Sequence, residues 1–506
     1  MNIGIVTTWF ERGAAYVSKQ YMNILEKKHS VFIYARGGEK YAINDPNWDG
    51  ENVWWGKYSD RCTTDIDVWD FNKWLKENNI EVCFFNEQTY MEPVLLCREK
   101  GIKVGAYIDY YKKNTIYTFG VYDFLICNTK RHYGVFKNHK QAFYVPWGTD
   151  IDKFQQVNKG RVANENKITF FVSAGFSPIR KGVDKTLQAF YLLFQKYKNC
   201  KLVIHSQVDL RQTMPEQLDM IDNLQMNNAL EIINETVTAP GLYYKGDVYV
   251  YASWLDGIGL TIAEALSSGL PIIVTDSAPM NEFGNEEIRK VVSVENYVSR
   301  EDAYYWPLSI VSVESLKKAM EYYILHAEEI IEIKDKARNY AERNLNWNDN
   351  EKALLDIFEK TKIIEVESEL KNNVRIEDKR MRHIEYRLKE FMANIKRINA
   401  LCDTLNKKEK IYIYGAGEHT EMLFEFTNVK ELNITALIDK SAKQKKRDDY
   451  IVITPEEIQK DKNAVIIISS FEWQYSIEKD LRDKYFFDGD IVKLYDEKDV
   501  GPFYLV

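Results

Sequence analysis

The stretch Asp256-Gly-Ile-Gly-Leu-Thr-Ile-Ala-Glu264-Ala-Leu-Ser-Ser-Gly269-Leu-Pro271-Ile-Ile-Val-Thr-Asp276 decides how the chain is read. It follows an apolar run, Val248 to Ala252, that reads as a buried strand. Gly257 and Gly259 allow a tight backbone turn before a helix that begins near Leu260 and Thr261. Backbone N–H groups at such a helix start form an anion site. Glu264 then stands in the first helical turn, where the helix dipole favours a carboxylate whose oxygens can accept two hydroxyl hydrogen bonds from a ribose. Gly269 stops the helix and Pro271 opens the next strand.

Working outward, the same strand–turn–helix alternation recurs. Ile3–Thr7, Val31–Tyr34, Val82–Phe85, Val104–Ile108 and Phe124–Cys127 read as strands of one α/β unit, and Ile168–Ser173, Lys201–His205, Val248–Ala252 and Pro271–Thr275 as a second. β-branched runs between helical patterns imply parallel sheets covered on both faces. The units meet at a turn-rich boundary, Pro146–Asp150, and a polar stretch, Asn158–Lys167. From residue 346 the pattern turns helical and charged. Val374, Met381, Ile384, Leu388, Phe391, Ile395, Ile398, Cys402 and Leu405 follow heptad-like spacing, which fits either a coiled coil joining subunits or one long helix lying on a neighbouring domain. A third α/β unit begins at Lys408, with strands at Ile411–Tyr414, Thr435–Ile438 and Ala464–Ser469. The expected domains are thus 1–150, 151–345, 346–406 and 407–506. At roughly 150 residues per domain, 506 residues agree with about three globular units.

With 45% hydrophobic and 28% charged residues the chain has the apolar side chains for large cores, and a net charge of −8 argues against nucleic acid as principal ligand. No apolar run approaches the ~20 residues that span a bilayer, and the N-terminus lacks the basic start of a secretory signal, so a cytoplasmic protein is expected. The six scattered cysteines, without a Cys-x-x-Cys pair, indicate neither a zinc site nor a disulfide framework. The basic run Lys440–Arg447 reads as a solvated loop, or as a peripheral contact with an anionic ligand or the inner membrane face.

The 256–276 stretch resembles the signature of the family 4 glycosyltransferases of the GT-B fold: two acidic residues separated by seven, then Ala-Leu/Met-x-x-Gly-x-Pro-Val/Ile-Ile. The resemblance covers about residues 1–345. It implies two Rossmann-like domains facing a cleft, with Asp256 on the donor sugar, Glu264 on the nucleotide ribose, and Gly257, Gly259, Leu260 and Thr261 lining the donor site. The first acid is usually Glu in the family. Ser173-Ala-Gly175-Phe-Ser-Pro-Ile-Arg180-Lys181-Gly182-Val-Asp184 resembles the family's Gly-Arg-x-x-x-x-Lys-Gly-x-Asp, which puts Lys181 on the donor diphosphate. Phe176 occupies the family's arginine position, and Arg180 is the candidate replacement cation. Val145-Pro-Trp-Gly148-Thr-Asp150 resembles the family's hinge, Gly13 in Arg12-Gly13-Ala14-Ala15 its glycine loop, and Pro279-Met-Asn-Glu282-Phe a motif read here as structural.

The N-terminal half departs further. Many relatives carry a His near the sugar, where the strand Val104–Ile108 here ends in Asp109, which either takes that place or caps the next segment. His132 reads as part of a surface-like helix and His205 as a strand end. Asn128-Thr129 reads as acceptor contact or helix cap. Ile413-Tyr-Gly415-Ala-Gly417-Glu-His-Thr420, with Asp439 following, resembles a dinucleotide turn whose third glycine is replaced. It is similar to small Rossmann modules attached to bacterial sugar-modifying enzymes; NAD, a nucleotide-sugar or no ligand at all are the open alternatives.

The reading is a retaining glycosyltransferase using a nucleotide-sugar, UDP-sugar favoured and GDP-sugar the alternative, with a glycan, lipid or protein acceptor and no obligatory cofactor or metal. This reading takes Asp109, Gly13 and Asp256 as the candidates for the reacting centre. The alternatives are a dehydrogenase or epimerase centred on Gly415, Gly417 and Asp439, and a non-catalytic sugar-binding assembly protein that forms homo-oligomers through residues 374–405.

Overall fold

The computed structural model describes residues 1–37, 40–57, 64–157, 167–405, 410–440, 446–447, 449–458, 464–471 and 473–495, without the side chains of 382–387, 418 and 446–447. Residues 158–166 of the polar boundary, Cys62, Lys408, the side chain of Ile384 and most of the basic run Lys440–Arg447 lie outside the described residues.

Seven strands form the first sheet: β1 Asn2–Thr7, β2 Ser30–Ala35, β3 Val53–Trp55, β4 Val82–Phe85, β5 Lys103–Ile108, β6 Phe124–Cys127 and β7 Ala142–Tyr144. They pair in parallel in the order β3-β2-β1-β4-β5-β6-β7. The second sheet holds β8 Ile168–Gly175, β9 Cys200–Ser206, β10 Leu230–Asn234, β11 Val248–Tyr251, β12 Ile272–Thr275 and β13 Arg289–Val292. It is also parallel, in the order β10-β9-β8-β11-β12-β13. In each sheet the chain runs outward from one strand, returns, and runs the other way, so a crevice opens at the carboxyl ends where the direction reverses. These crevices lie between β1 and β4 and between β8 and β11. The second domain carries an antiparallel hairpin absent from the sequence reading, β14 Val294–Val298 and β15 Leu308–Val311.

The strands are buried because they are apolar on both faces, as parallel strands require; β4, β6, β11 and β12 are buried at every position. β3 and β7 are three residues long and only partly covered at the sheet edges, which leaves them no clear sequence signal.

The two Rossmann-like domains are joined twice. Thr149 pairs with Asn346, and Trp147 packs on Trp347 with ring centroids 4.9 Å apart. The helix Glu351–Lys360 then returns to the first domain, with Phe358 5.1 Å from Phe84 and 5.2 Å from Phe124 between ring centroids. The segment after it is fixed by a buried ion pair. Asp123, fully buried, accepts from Arg98 Nη1 at 2.6 Å, from the Ile364 N–H at 2.9 Å and from the Val104 N–H at 2.8 Å.

By contacts the chain divides into Met1–Asp378 and Lys379–Val506, so the boundary falls inside the long helix Ser368–Leu405. Val374 belongs to the core of the first unit. The second unit has strands β16 Lys410–Tyr414, β17 Ile434–Ile438, β18 Lys446–Arg447, β19 Tyr450–Ile453, β20 Ala464–Ile468 and β21 Asp490–Lys493, in the order β18-β19-β17-β16-β20-β21. Phe391, Ile398, Cys402 and Leu405 are buried in that unit's own core with Ile411, Ile413, Val465 and Ile467. Their spacing is therefore that of a helix lying on a domain, while Leu388 and Met392 remain exposed.

Removing the Asp123 carboxylate strands the buried Arg98 charge and two N–H groups. Breaking such a pair costs about 3–5 kcal/mol. Asp123→Ala is expected to lower the stability of the first unit by that amount in guanidinium denaturation, and a midpoint equal to wild type would contradict the role assigned to this pair.

Candidate functional site

Five segments leave carboxyl strand ends near the two switch points and border one cavity of about 750 Å³. The first domain contributes Gly13 after β1, Glu87 after β4 and Asp109 after β5; the second contributes Arg180 and Lys181 after β8 and Asp256 after β11. A further cavity of about 200 Å³ shares Gly13, Lys181, Leu260 and Thr261 with it and extends to Glu264 and Tyr243. The structure thus brings together the sequence-predicted residues of both domains.

The loop of the decisive stretch is organised by Asp256. One carboxylate oxygen accepts from the N–H groups of Ile258 at 3.3 Å and Gly259 at 3.0 Å; the other is bound by Lys181 Nζ and the Tyr251 hydroxyl. Arg180 lies 3.8 Å away and donates to the Leu255 carbonyl at 2.6 Å. Burial works to raise the Asp256 carboxyl, but the Lys181 and Arg180 charges outweigh it and hold the group well below the usual carboxylate range. Burial lowers the Lys181 ammonium, against the opposing pull of Asp256. Gly259, at φ +89°, turns the chain into the helix Leu260–Ser267. Gly182, at φ +69°, lies so near the Ala252 carbonyl that a Cβ would stand 2.0 Å from its oxygen, so only glycine brings Lys181 this close to the neighbouring loop. Phe176 is 61% exposed at the cavity wall.

Glu264 faces the smaller cavity and accepts from the Tyr243 hydroxyl at 2.5 Å. Burial raises its carboxyl, with Tyr243 and nearby lysines opposing. Gly13 opens the helix Gly13–Leu25 beside the donor loop: a Cβ there would reach Leu260 at 3.4 Å.

Asp109 accepts from the Tyr107 hydroxyl at 3.0 Å, and its backbone carbonyl accepts from the Tyr304 hydroxyl at 2.7 Å. Burial, then the Glu87 carboxyl, push Asp109 well above the usual range. Tyr304 belongs to the hairpin that follows β13. Its neighbours bind the first domain too: the Tyr305 N–H donates to the Tyr111 carbonyl at 2.9 Å and Trp306 Nε1 to the Tyr111 hydroxyl at 2.7 Å.

One sequence expectation is corrected here. The helix Lys130–Phe136 does not present His132 to solvent; His132 is fully buried. Its Nε2 lies 2.9 Å from the Gly257 carbonyl and its Nδ1 2.9 Å from the Tyr111 hydroxyl. Burial and Arg131 lower it to about 3, so it is neutral at physiological pH, with Nε2–H donating to Gly257 and Nδ1 accepting from Tyr111. Arg131 binds the carbonyls of Asp256 and Ala278 and lies over the Trp306 ring. Glu282 accepts from the N–H groups of Lys130 at 2.7 Å and Arg131 at 3.0 Å, a structural cap across the cleft. The surface-like reading failed because the cover comes from the other domain, a contact that local polarity does not record.

Asn128 and Thr129 serve structure: Asn128 accepts from the Tyr21 hydroxyl at 2.8 Å, and Thr129 Oγ1 accepts from the His132 N–H at 3.2 Å as the helix cap. Glu87 was missed by the sequence reading. Its only signal is position, the second polar residue after the apolar strand β4 at a switch point.

In the second unit, Gly415 turns at φ +114°, and Asp439 accepts from the Ala416 N–H at 3.2 Å, so it holds the loop backbone. Gly417 faces open space. Thr420, in the third glycine's position, bonds the Gly415 carbonyl and Ser469, each at 2.7 Å. Among the described residues no group of three or more His, Cys, Asp or Glu is arranged to hold a metal ion, and no helix is long and apolar enough to cross a membrane.

Residues 166–300, which contain Lys181, Asp256 and Glu264, match the family model for Glycosyl transferases group 1, and residues 407–487 match the C2185-like N-terminal model. The uncharacterized glycosyltransferase MJ1059 of Methanocaldococcus jannaschii is 24% identical over 216 residues, 41% of this chain and 48% of the relative. The chain spans about half the length of the curated relatives it matches. Among solved structures, a glycosyltransferase from Rickettsia africae superimposes with a TM-score of 0.54 at 15% identity, over 71% of this chain and 98% of that one. Anabaena Alr3699/HepE in complex with UDP and glucose gives 0.53 at 11% identity, over 71% and 98%. The chain has the GT-B fold and is homologous to glycosyltransferases.

Truncating Arg131 would leave the Asp256 and Ala278 carbonyls without their donor. An unsatisfied buried acceptor costs about 1–3 kcal/mol. Arg131→Ala is expected to lower the melting temperature by several degrees, with part of the loss recovered by Arg131→Lys; an unchanged melting temperature would show that these contacts do not hold the loop.

Proposed function

We propose that the protein transfers a sugar with retention from a nucleotide-sugar, a UDP-sugar first, to a hydroxyl of a glycan, lipid or protein acceptor. The observation that carries this reading is the pair of cavities that share Gly13, Lys181, Leu260 and Thr261, the larger also lined by Arg180 and Asp109 and the smaller by Glu264. The UDP and glucose held by Alr3699/HepE favour UDP as the first nucleotide to test.

Each residue has a defined task in this reading. Cleaving the sugar–phosphate bond releases a nucleoside diphosphate, whose growing charge is met by Lys181, Arg180 and the N–H groups of Leu260 and Thr261. Lys181 is preset for this work, since Asp256 and Tyr251 fix its Nζ. Glu264 accepts from the ribose hydroxyls with the carboxylate oriented by Tyr243. Asp256 sets the loop and, with it, the backbone groups facing the sugar. The charge comes from fixed groups of the chain, so the reaction runs without an obligatory metal. Closure of the cleft keeps water from the sugar.

The test is a thermal-shift panel with UDP, GDP and ADP on wild type and Glu264→Ala. A ligand present at about 100 times its Kd stabilises the folded state by about 2.7 kcal/mol. UDP or GDP is expected to raise the melting temperature of wild type and to lose most of that effect in the variant. No shift with any of the three, or a shift indifferent to Glu264, would overturn the donor-site assignment.

A further inference from the structure

The hairpin β14–β15 sends its loop, residues 299–307, from the second domain onto the segment that follows β5 in the first. The Tyr110 hydroxyl donates to Asp302 at 3.0 Å, and the Tyr110 and Tyr304 rings stack with centroids 5.2 Å apart. Tyr304 pairs with Lys112 in an isolated antiparallel bridge and donates its hydroxyl to the Asp109 carbonyl. Tyr305 and Trp306 bind the Tyr111 carbonyl and hydroxyl, and Trp306 packs against the core of the first domain. Between these contacts Ala303 sits at φ +57°, in the left-handed region that favours glycine. An alanine keeps that conformation where the surrounding contacts over-determine the loop.

The base of the hairpin is anchored in the second domain. The Ser309 N–H donates to the Trp254 carbonyl at 2.7 Å and the Ser309 hydroxyl to Ser277 at 2.9 Å, while the Ser312 N–H donates to the Ser293 carbonyl at 2.9 Å. The loop therefore belongs to one domain by its ends and to the other by its side chains. Rotation that parts the domains at this face has to break the loop contacts. It also has to break the separate bonds from Lys130, Arg131 and His132 to Glu282, Asp256 and Gly257.

We propose that residues 299–307 form a strap that holds the two domains closed before any ligand arrives, so that ligands enter a preformed cavity rather than an open cleft. Where domains close around a ligand, part of its binding energy goes into shifting the open form to the closed one. With the strap in place that shift is already made, and the wall that carries Asp109 stands in register with the loop of Asp256. The inference goes beyond the transferase reading and stands without it, since it concerns the chain free of ligand.

Hydrogen–deuterium exchange of the full chain without ligand tests the strap through amides outside it. The Lys130 and Arg131 N–H groups are held across the cleft by Glu282, which is not part of the loop. In wild type the peptides that carry them should exchange slowly. In the double variant Tyr110→Phe with Tyr304→Phe, which keeps both rings and removes two hydrogen bonds, they should exchange roughly tenfold faster or more, with β4 and β11 unchanged. A second variant, Lys112→Cys with Tyr304→Cys, places cysteines at paired positions within disulfide reach. Slow exchange of Lys130 and Arg131 should return on oxidation and be lost on reduction. Faster exchange confined to 109–112 and 299–307, or fast exchange of Lys130 and Arg131 in wild type, would overturn the strap. Oxidation that leaves Lys130 and Arg131 unaffected would overturn it as well, even where the phenylalanine variant is unstable throughout.

Discussion

The largely covered carboxylate of Asp256, with 15% of its side chain exposed, is the interaction on which the site depends. A charge removed from water must be paired and hydrogen-bonded, or it destabilises the fold by several kcal/mol. Here every partner it recruits is a component of the site. Two loop N–H groups fix the turn into the helix that carries Glu264, and Lys181 is drawn from the end of β8 to the end of β11. Tyr251 closes the set from below on the strand itself. The loop, the cation and the helix start thus share one electrostatic solution.

The first domain adds a second layer to that arrangement. Arg131 and His132 bind the carbonyls of Asp256 and Gly257, so the outer side of the loop is held by a helix of the opposite domain. Glu282 answers in the other direction by capping that helix. The hairpin after β13 makes a further crossing through Tyr304, Tyr305 and Trp306, and the Tyr304 bond ends on the backbone of Asp109. The position of a reacting-centre candidate in one domain is therefore set partly by a side chain of the other. Neutral His132 suits this role, since a charged imidazole buried beside Arg131 would be repelled.

Legibility in the sequence followed the range of the forces involved. The strands and the glycine turns were readable because they answer to local rules: apolar runs make buried parallel strands, and Gly182 and Gly259 occupy backbone conformations that other residues rarely adopt. The grouping of Lys181, Asp256 and Glu264 was readable from spacing and from family resemblance. His132 was misread, Glu87 passed unnoticed and the β14–β15 hairpin was not anticipated, because each takes its meaning from a partner far along the chain. The spacing from Phe391 to Leu405 was ambiguous for a related reason. An apolar stripe records that something covers it, and its cover proved to be the strands that follow it in the same unit.

The two departures from the family pattern fit together physically. Asp256 is one methylene shorter than the usual Glu, and its carboxylate stays close to its own loop, within reach of Lys181 and Tyr251. Phe176 removes a cation from the turn after β8, leaving Arg180 and Lys181 as adjacent cations on that turn. A shorter acid and a missing arginine change the local charge by the loss of one positive group, while the remaining pair of cations shares a single carboxylate. That leaves a net positive charge at these strand ends, and leaves Phe176 as exposed apolar surface on the same wall. Phe176 therefore adds an exposed ring, able to pack against another ring face, to a wall that keeps the Arg180 and Lys181 charges.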